Sequence, residues 1–160
     1  LNGYHGDYCY TFAVGTISEE KRLLVERTKE SLLHAIKVAV KGNTIGDVGH
    51  AVESYIKPFH YGVVRDLCGH GIGKNMHEKP DVPNYGKPGT GPKIVEGMVF
   101  CIEPMINLGT YQVKVDADQW TTRTVDGKPS AHFEHQVAIT AKGTEVLSTY
   151  QYVEEVINQK

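Results

Sequence analysis

An α+β domain, with two helices toward the front and short strands behind them, is the fold class this chain predicts, and three observations predict it. Between Ser18 and Gly42 the residues Leu24, Thr28, Leu32 and Ile36 recur at helical spacing. Between Thr44 and Pro58 a second helical face gathers Val48, Ala51, Val52 and Tyr55. Beyond Tyr61 the apolar residues fall into short runs rich in β-branched and aromatic side chains. At 160 residues the chain fits one domain, able to bury roughly 70% of its unfolded surface around a single core.

Asn2-Gly3 is a strong hairpin signal, and Tyr8 to Val14 reads as the strand after it. A hairpin needs a strand on both sides, so this reading implies a chain that begins where its first strand should already have ended. Ser18 caps the first helix and places Glu19 and Glu20 at the positive end of its dipole. Thr44-Ile-Gly-Asp47 forms a capping box with Asp in place of Glu, and Pro58 stops the second helix. Strands are then expected at Val63 to Arg65, Met98 to Ile102, Tyr111 to Val115, Trp120 to Thr124, Gln136 to Thr140 and Glu145 to Ser148. Pro80 to Pro92, with its further prolines and glycines, reads as a long shaped loop.

Composition excludes several classes of function. With 40% hydrophobic and 22% charged residues and a formal charge of −2, the chain is neither disordered nor a polyelectrolyte. Its basic residues are scattered, so nucleic acid is not an expected partner. No run approaches the ~20 apolar residues of a membrane span and no signal peptide leads the chain, so no membrane partner is expected. Three cysteines without paired spacing suit a reducing cytoplasm better than a disulfide frame or a thiolate zinc site.

The chemistry is concentrated in four islands: Gly6-Asp7; Cys68-Gly-His70-Gly-Ile-Gly73 with His77; Ile102-Glu103-Pro104; and Phe133-Glu134-His135. Each sits in apolar or glycine-rich surroundings, where a carboxylate or imidazole needs a charged partner or a metal. Glycines on both sides of His70 let backbones pack close while the ring projects, although a lone histidine of this kind is more often a hydrogen-bonded core residue. An apolar run delivers Glu103 to a proline that ends regular pairing; a buried ion pair with Arg65 or Arg123 is the competing reading. His77 reads as a pocket-rim residue or as a surface histidine beside Glu78. One histidine with several carboxylates suits manganese, iron, cobalt or zinc better than calcium, and carboxylate-rich sites commonly bridge two ions.

Taken together, Gly6-Asp7, Cys68 to Gly73 with His77-Glu78, Gly97 to Phe100 leading into Ile102-Glu-Pro-Met105, and Phe133-Glu-His135 closely resemble the type I methionine aminopeptidases. The resemblance extends to Asn84-Tyr-Gly86 and Gly89-Thr-Gly-Pro92 and covers nearly the whole chain. It implies the pita-bread fold, a curved antiparallel sheet with helices on its outer face. Residues 1–160 would be the C-terminal major part of one catalytic domain, incomplete at its N-terminus. It further implies that Asp7 and Glu134 bridge two divalent ions, that His70 and Glu103 complete the first ion's shell, and that Glu103 accepts the proton. His77 would contact the substrate and the tetrahedral oxyanion, and Met76 and Trp120 would line the methionine pocket, where Trp120 is equally readable as core. Such an ion lowers the pKa of its water toward ~7.

The implied reaction removes N-terminal methionine from nascent polypeptides, by a cytoplasmic monomer able to associate with the ribosome. A peptide-binding relative without catalysis and an X-Pro dipeptidase are the alternatives; Glu-Pro-Met and Phe-Glu-His disfavour the latter. Two departures stand out. Tyr8-Cys9-Tyr10 follows Asp7 where many family members have small hydroxyl residues. The family's further metal-binding aspartate and a substrate-contacting histidine fall before Leu1, so the second ion is expected to be held by the two bridging carboxylates alone.

Overall fold

Residues 1–157 are described by a computed structural model. Helix α1 spans Glu19–Val38, and its first turn is capped by the Ser18 hydroxyl, which accepts from the Lys21 amide. Helix α2 spans Ile45–Ile56. The Asp47 carboxylate accepts from both the amide and the hydroxyl of Thr44 at 2.7 Å and from the Gly89 amide at 3.0 Å. One side chain thus starts the helix and holds the glycine-rich loop. Pro58 does not stop the chain's helical course at once: a single 3-10 turn, Lys57–Phe59, follows α2 and closes on a left-handed His60.

Among the described residues, eleven short strands follow the antiparallel logic expected of an α+β domain. The main sheet contains β1 (Tyr8–Cys9), β3 (Gly69–Gly71), β4 (Glu78–Val82), β5 (Val99–Ile102), β10 (Glu134–Thr140) and β11 (Gly143–Val146). Its order is β1-β10-β5-β3-β4, with β11 also paired to β10. A second sheet joins β2 (Gly62–Val63), β6 (Met105–Asn107) and β9 (Ser130–His132), and β7 (Val113–Val115) pairs with β8 (Thr122–Thr124). A last helix, α3, spans Gln151–Ile157. Leu24, Leu32 and Ala35 of α1 and Val48, Val52 and Ile56 of α2 share one buried core with Phe100, Ile102, Ile106, Phe133 and Val137 from the strands. Removing a side chain of this size from water contributes roughly 1.5–3 kcal/mol.

Several expectations shift in detail. Asn2 and Gly3 do make a tight turn, both with left-handed φ, closed by the Tyr4 amide on the Leu1 carbonyl at 3.0 Å. The strand expected from Tyr8 to Val14 contracts to two residues because Tyr10 turns inward, its ring 4.9 Å edge-on from both Phe133 and Tyr150. The loop expected from Pro80 onward opens with the second half of β4. Pro104 interrupts pairing as expected, but the chain then resumes as β6 in the second sheet.

The glycines beside His70 answer to close backbone approach. A Cβ on Gly69 would lie 2.3 Å from the Cys101 carbonyl oxygen, and one on Gly71 would lie 2.3 Å from that of Lys79. β3 is therefore sandwiched between β5 and β4 at a distance only glycine permits. Gly71→Ala is expected to lower unfolding free energy by about 1–3 kcal/mol, as overpacking does; an unchanged denaturation midpoint would refute the close-packing account.

Candidate metal centre

The ends of adjacent strands bring the four islands together. Asp7 immediately precedes β1, whose Cys9 pairs with Glu134 at the start of β10. The next residue of β10, His135, pairs with Ile102 at the end of β5, so Glu103 emerges beside Glu134. Gly71 of β3 pairs with Phe100 of β5, which brings His70 to the same end.

His70 Nε2 lies 3.8 Å from Asp7 Oδ2 and 3.6 Å from Glu103 Oε1. Asp7, His70, Cys101 and Glu134 each offer a ligand atom within 4.8 Å of the others, and Glu103, His132 and Glu134 form a second such group. The expected ligands Asp7, His70, Glu103 and Glu134 therefore converge. The alternative pairing of Glu103 with an arginine does not occur: Arg65 pairs with Glu53 at 3.1 Å and Arg123 with Asp116 at 2.5 Å.

Supporting hydrogen bonds fix the ligands from behind. The Asp7 amide donates to Gln136 Oε1 at 3.2 Å, and Asn84 Nδ2 donates to the Glu103 carbonyl at 2.9 Å. The Tyr150 hydroxyl accepts from the Glu134 amide at 2.8 Å and faces the carbonyls of Cys9 and Glu134 at 2.6 Å each. His135, the last residue of its island, belongs to this support. Its Nδ1 meets Ser148 Oγ at 3.1 Å, its ring lies 3.8 Å from that of Tyr150, and burial pushes its pKa down to about 4.

The electrostatics reflect like charges packed together. Burial, with the charges of Glu103 and Asp7, pushes the Glu134 carboxyl up to about 7. Burial and the neighbouring Glu134 charge push the Cys101 thiol far up, so it stays a thiol rather than a thiolate. His132 moves the other way: burial opposes its charged form, but contacts with Cys9 and Glu103 outweigh it and raise the pKa to about 10. Among the described residues, two of the four buried side-chain atoms without a hydrogen-bond partner are Glu134 Oε1 and His132 Nε2. A donor set of carboxylates and imidazole that leaves buried ligand atoms unpartnered fits a divalent ion.

The expected substrate residues are placed less uniformly. His77 is exposed, with its ring 4.3 Å edge-on from that of His70, and both line a cleft of about 360 Å³. Met76 precedes it and is 39% exposed. Trp120 is 89% exposed just before β8, so its reading as a core residue is overturned. Sequence reasoning did not single out His132, Tyr150 or Gln136. The signal for His132 was its two-residue spacing from Glu134, which is that of one strand face.

The sequence pattern of metallopeptidase family M24 matches residues 1–141. The chain belongs to metallopeptidase family M24. Among M24 relatives, it is 54% identical over 148 residues to a methionine aminopeptidase of Clostridium acetobutylicum, covering 92% of this chain and 59% of that one. It is 47% identical to methionine aminopeptidase 1 of Bacillus subtilis, covering 92% of this chain and 60% of that one. The crystal structure of methionine aminopeptidase from Rickettsia prowazekii superposes with a TM-score of 0.89 at 41% identity, covering 91% of this chain and 59% of that one. The chain thus has the pita-bread fold and spans about three fifths of the length of the curated relatives it matches.

Glu134 supplies a pH signature. An unfolded carboxyl titrates near 4.5, while the folded one is held protonated up to about 7, so between these values the folded, metal-free chain binds more protons. Its contribution to stability therefore falls as pH rises through that window, opposite in sign to that of His135. Relative to wild type, metal-free Glu134→Gln is expected to become progressively more stable from pH 4.5 to 7, by on the order of a few kcal/mol. A stability difference that stays flat across this window would mean that Glu134 titrates as an ordinary carboxyl.

Proposed function

We propose that this chain is the C-terminal major part of the catalytic domain of a methionyl aminopeptidase, a metallo-exopeptidase that releases N-terminal methionine from nascent polypeptides in the cytoplasm. The observation that carries the reading is the convergence of Asp7, His70, Glu103 and Glu134 from four separate strands or strand ends. The names of the relatives supply the substrate class.

Two divalent ions, drawn from manganese, iron, cobalt or zinc, would supply Lewis acidity toward the scissile carbonyl and an activated water. Asp7 and Glu134 would bridge them, with His70 and Glu103 completing the first shell. Glu103 is the proton acceptor: its Oε1 faces His70, and Asn84 anchors its backbone. His77, beside His70 in the cleft, would hold the substrate and stabilise its oxyanion, with Met76 next to it as apolar wall. Trp120 as a pocket residue rests on the family resemblance alone. A monomer able to associate with the ribosome completes the proposal. Among the described residues no helix is long and apolar enough to cross a membrane.

The intact protein, stripped of metal and resupplied with manganese or cobalt, is expected to cleave Met-Ala peptides. His70→Ala should lower kcat/KM by more than about 100-fold, since even partners outside the ligand set cost 10–100-fold. Equal cleavage in the presence of a strong chelator would sink the proposal.

A further inference from the structure

Asn84 anchors the backbone of Glu103, which leaves the carboxylate itself to be oriented by something else. We propose that His132 is a positioning residue for the reaction: its Nε2 holds Glu103 Oε2 from outside the ligand set and keeps Oε1 turned toward the centre. In this role His132 takes no metal and touches no substrate, and Asp7, His70, Glu103 and Glu134 keep the ligand positions proposed above. The inference rests on the metallopeptidase reading of the centre.

Geometry carries it. Two imidazoles bracket Glu103, one at each oxygen: Oε1 lies 3.6 Å from His70 Nε2, and Oε2 lies 3.5 Å from His132 Nε2. The Glu103 side chain is only 13% exposed, so water has little room to take the place of a protein donor. His132 Nε2 is itself buried and has no hydrogen-bond partner. A carboxylate only accepts, so Nε2 meets Oε2 as a donor. Their separation exceeds the ~2.7–3.2 Å of a made hydrogen bond by a few tenths of an ångström. A small side-chain rotation closes that gap and relieves the cost of a buried nitrogen without a partner.

The backbone that carries the imidazole is tied on both sides. The His132 carbonyl accepts from the Thr11 hydroxyl at 2.6 Å, and the His132 amide donates to the same oxygen at 3.0 Å. Met105, two residues after Glu103, is the register partner of His132, and the Phe133 amide donates to the Pro104 carbonyl at 3.3 Å. The antiparallel pairing of β6 with β9 thus sets the ring beside the carboxylate. A ligating carboxylate depends on such an outer partner for its orientation, and losing the partner typically costs about 10–100-fold in metal affinity or activity.

The test is a double-mutant cycle on the metal-free chain, titrated with Co²⁺ by calorimetry and visible absorption, with circular dichroism confirming that each variant is folded. His132→Leu, with His132→Met as its replacement should it misfold, should weaken Co²⁺ binding about tenfold or more. His132→Gln, whose amide still donates, should stay within about threefold of wild type. In a Glu103→Gln background His132→Leu should add no further loss, because its effect runs through that carboxylate. In the intact protein His132→Leu should lower kcat about tenfold or more and leave KM for a Met-Ala peptide within about twofold. Co²⁺ affinity unchanged in His132→Leu, a loss of equal size in both backgrounds, or a loss in His132→Gln as large as in His132→Leu overturns the inference and leaves the metallopeptidase reading standing. A raised KM with kcat unchanged overturns it too, since His132 would then be a substrate contact. If His70→Ala and Glu103→Gln both bind Co²⁺ as wild type does, the metallopeptidase reading falls and the inference falls with it.

Discussion

Three carboxylates, those of Asp7, Glu103 and Glu134, converge in a largely buried pocket, and most of the architecture follows from making that tolerable. Like charges at this separation resist joint ionisation, and burial raises the cost for each. The chain answers in two ways. It sets imidazoles beside the acids, and it leaves one carboxyl, Glu134, holding its proton to near neutral pH. Such a cluster is poorly satisfied by protein groups alone and well matched to cations.

Antiparallel pairing is what makes the convergence possible. Because β1, β10 and β5 run side by side in alternating directions, residues at the start of one strand and the end of its neighbour share an edge. The backbones of these candidate ligands are then held by side chains from outside the cluster: Gln136, Asn84 and Tyr150. Support of this kind sets ligand orientation as surely as the ligands themselves do.

Much of this was legible in the sequence, for identifiable reasons. Helices α1 and α2 were readable because their caps, Ser18 and the Thr44–Asp47 box, are local. The ligands were readable because an acid or imidazole between apolar or glycine neighbours is conspicuous at any distance. β3, β6 and β9 were not, since each is three residues long and exists through pairing with chain far away in sequence. For His132 the only local mark, its spacing from Glu134, is weak; the approach of Glu103, brought by another strand, is what gives its ring a partner. For Trp120 the structure removes only the core alternative, since the indole stands in solvent.

The Tyr150 hydroxyl clasps Cys9 across 141 positions of sequence, and Asp7 meets Gln136 across 129. Contacts this distant carry a large loop-closure entropy and form slowly relative to local helices. On a growing polypeptide the two helices can therefore mature early, while the acid cluster cannot close until the chain through Tyr150 has emerged. Closure of the centre thus waits on a tyrosine whose hydroxyl meets the backbone of Cys9 and Glu134.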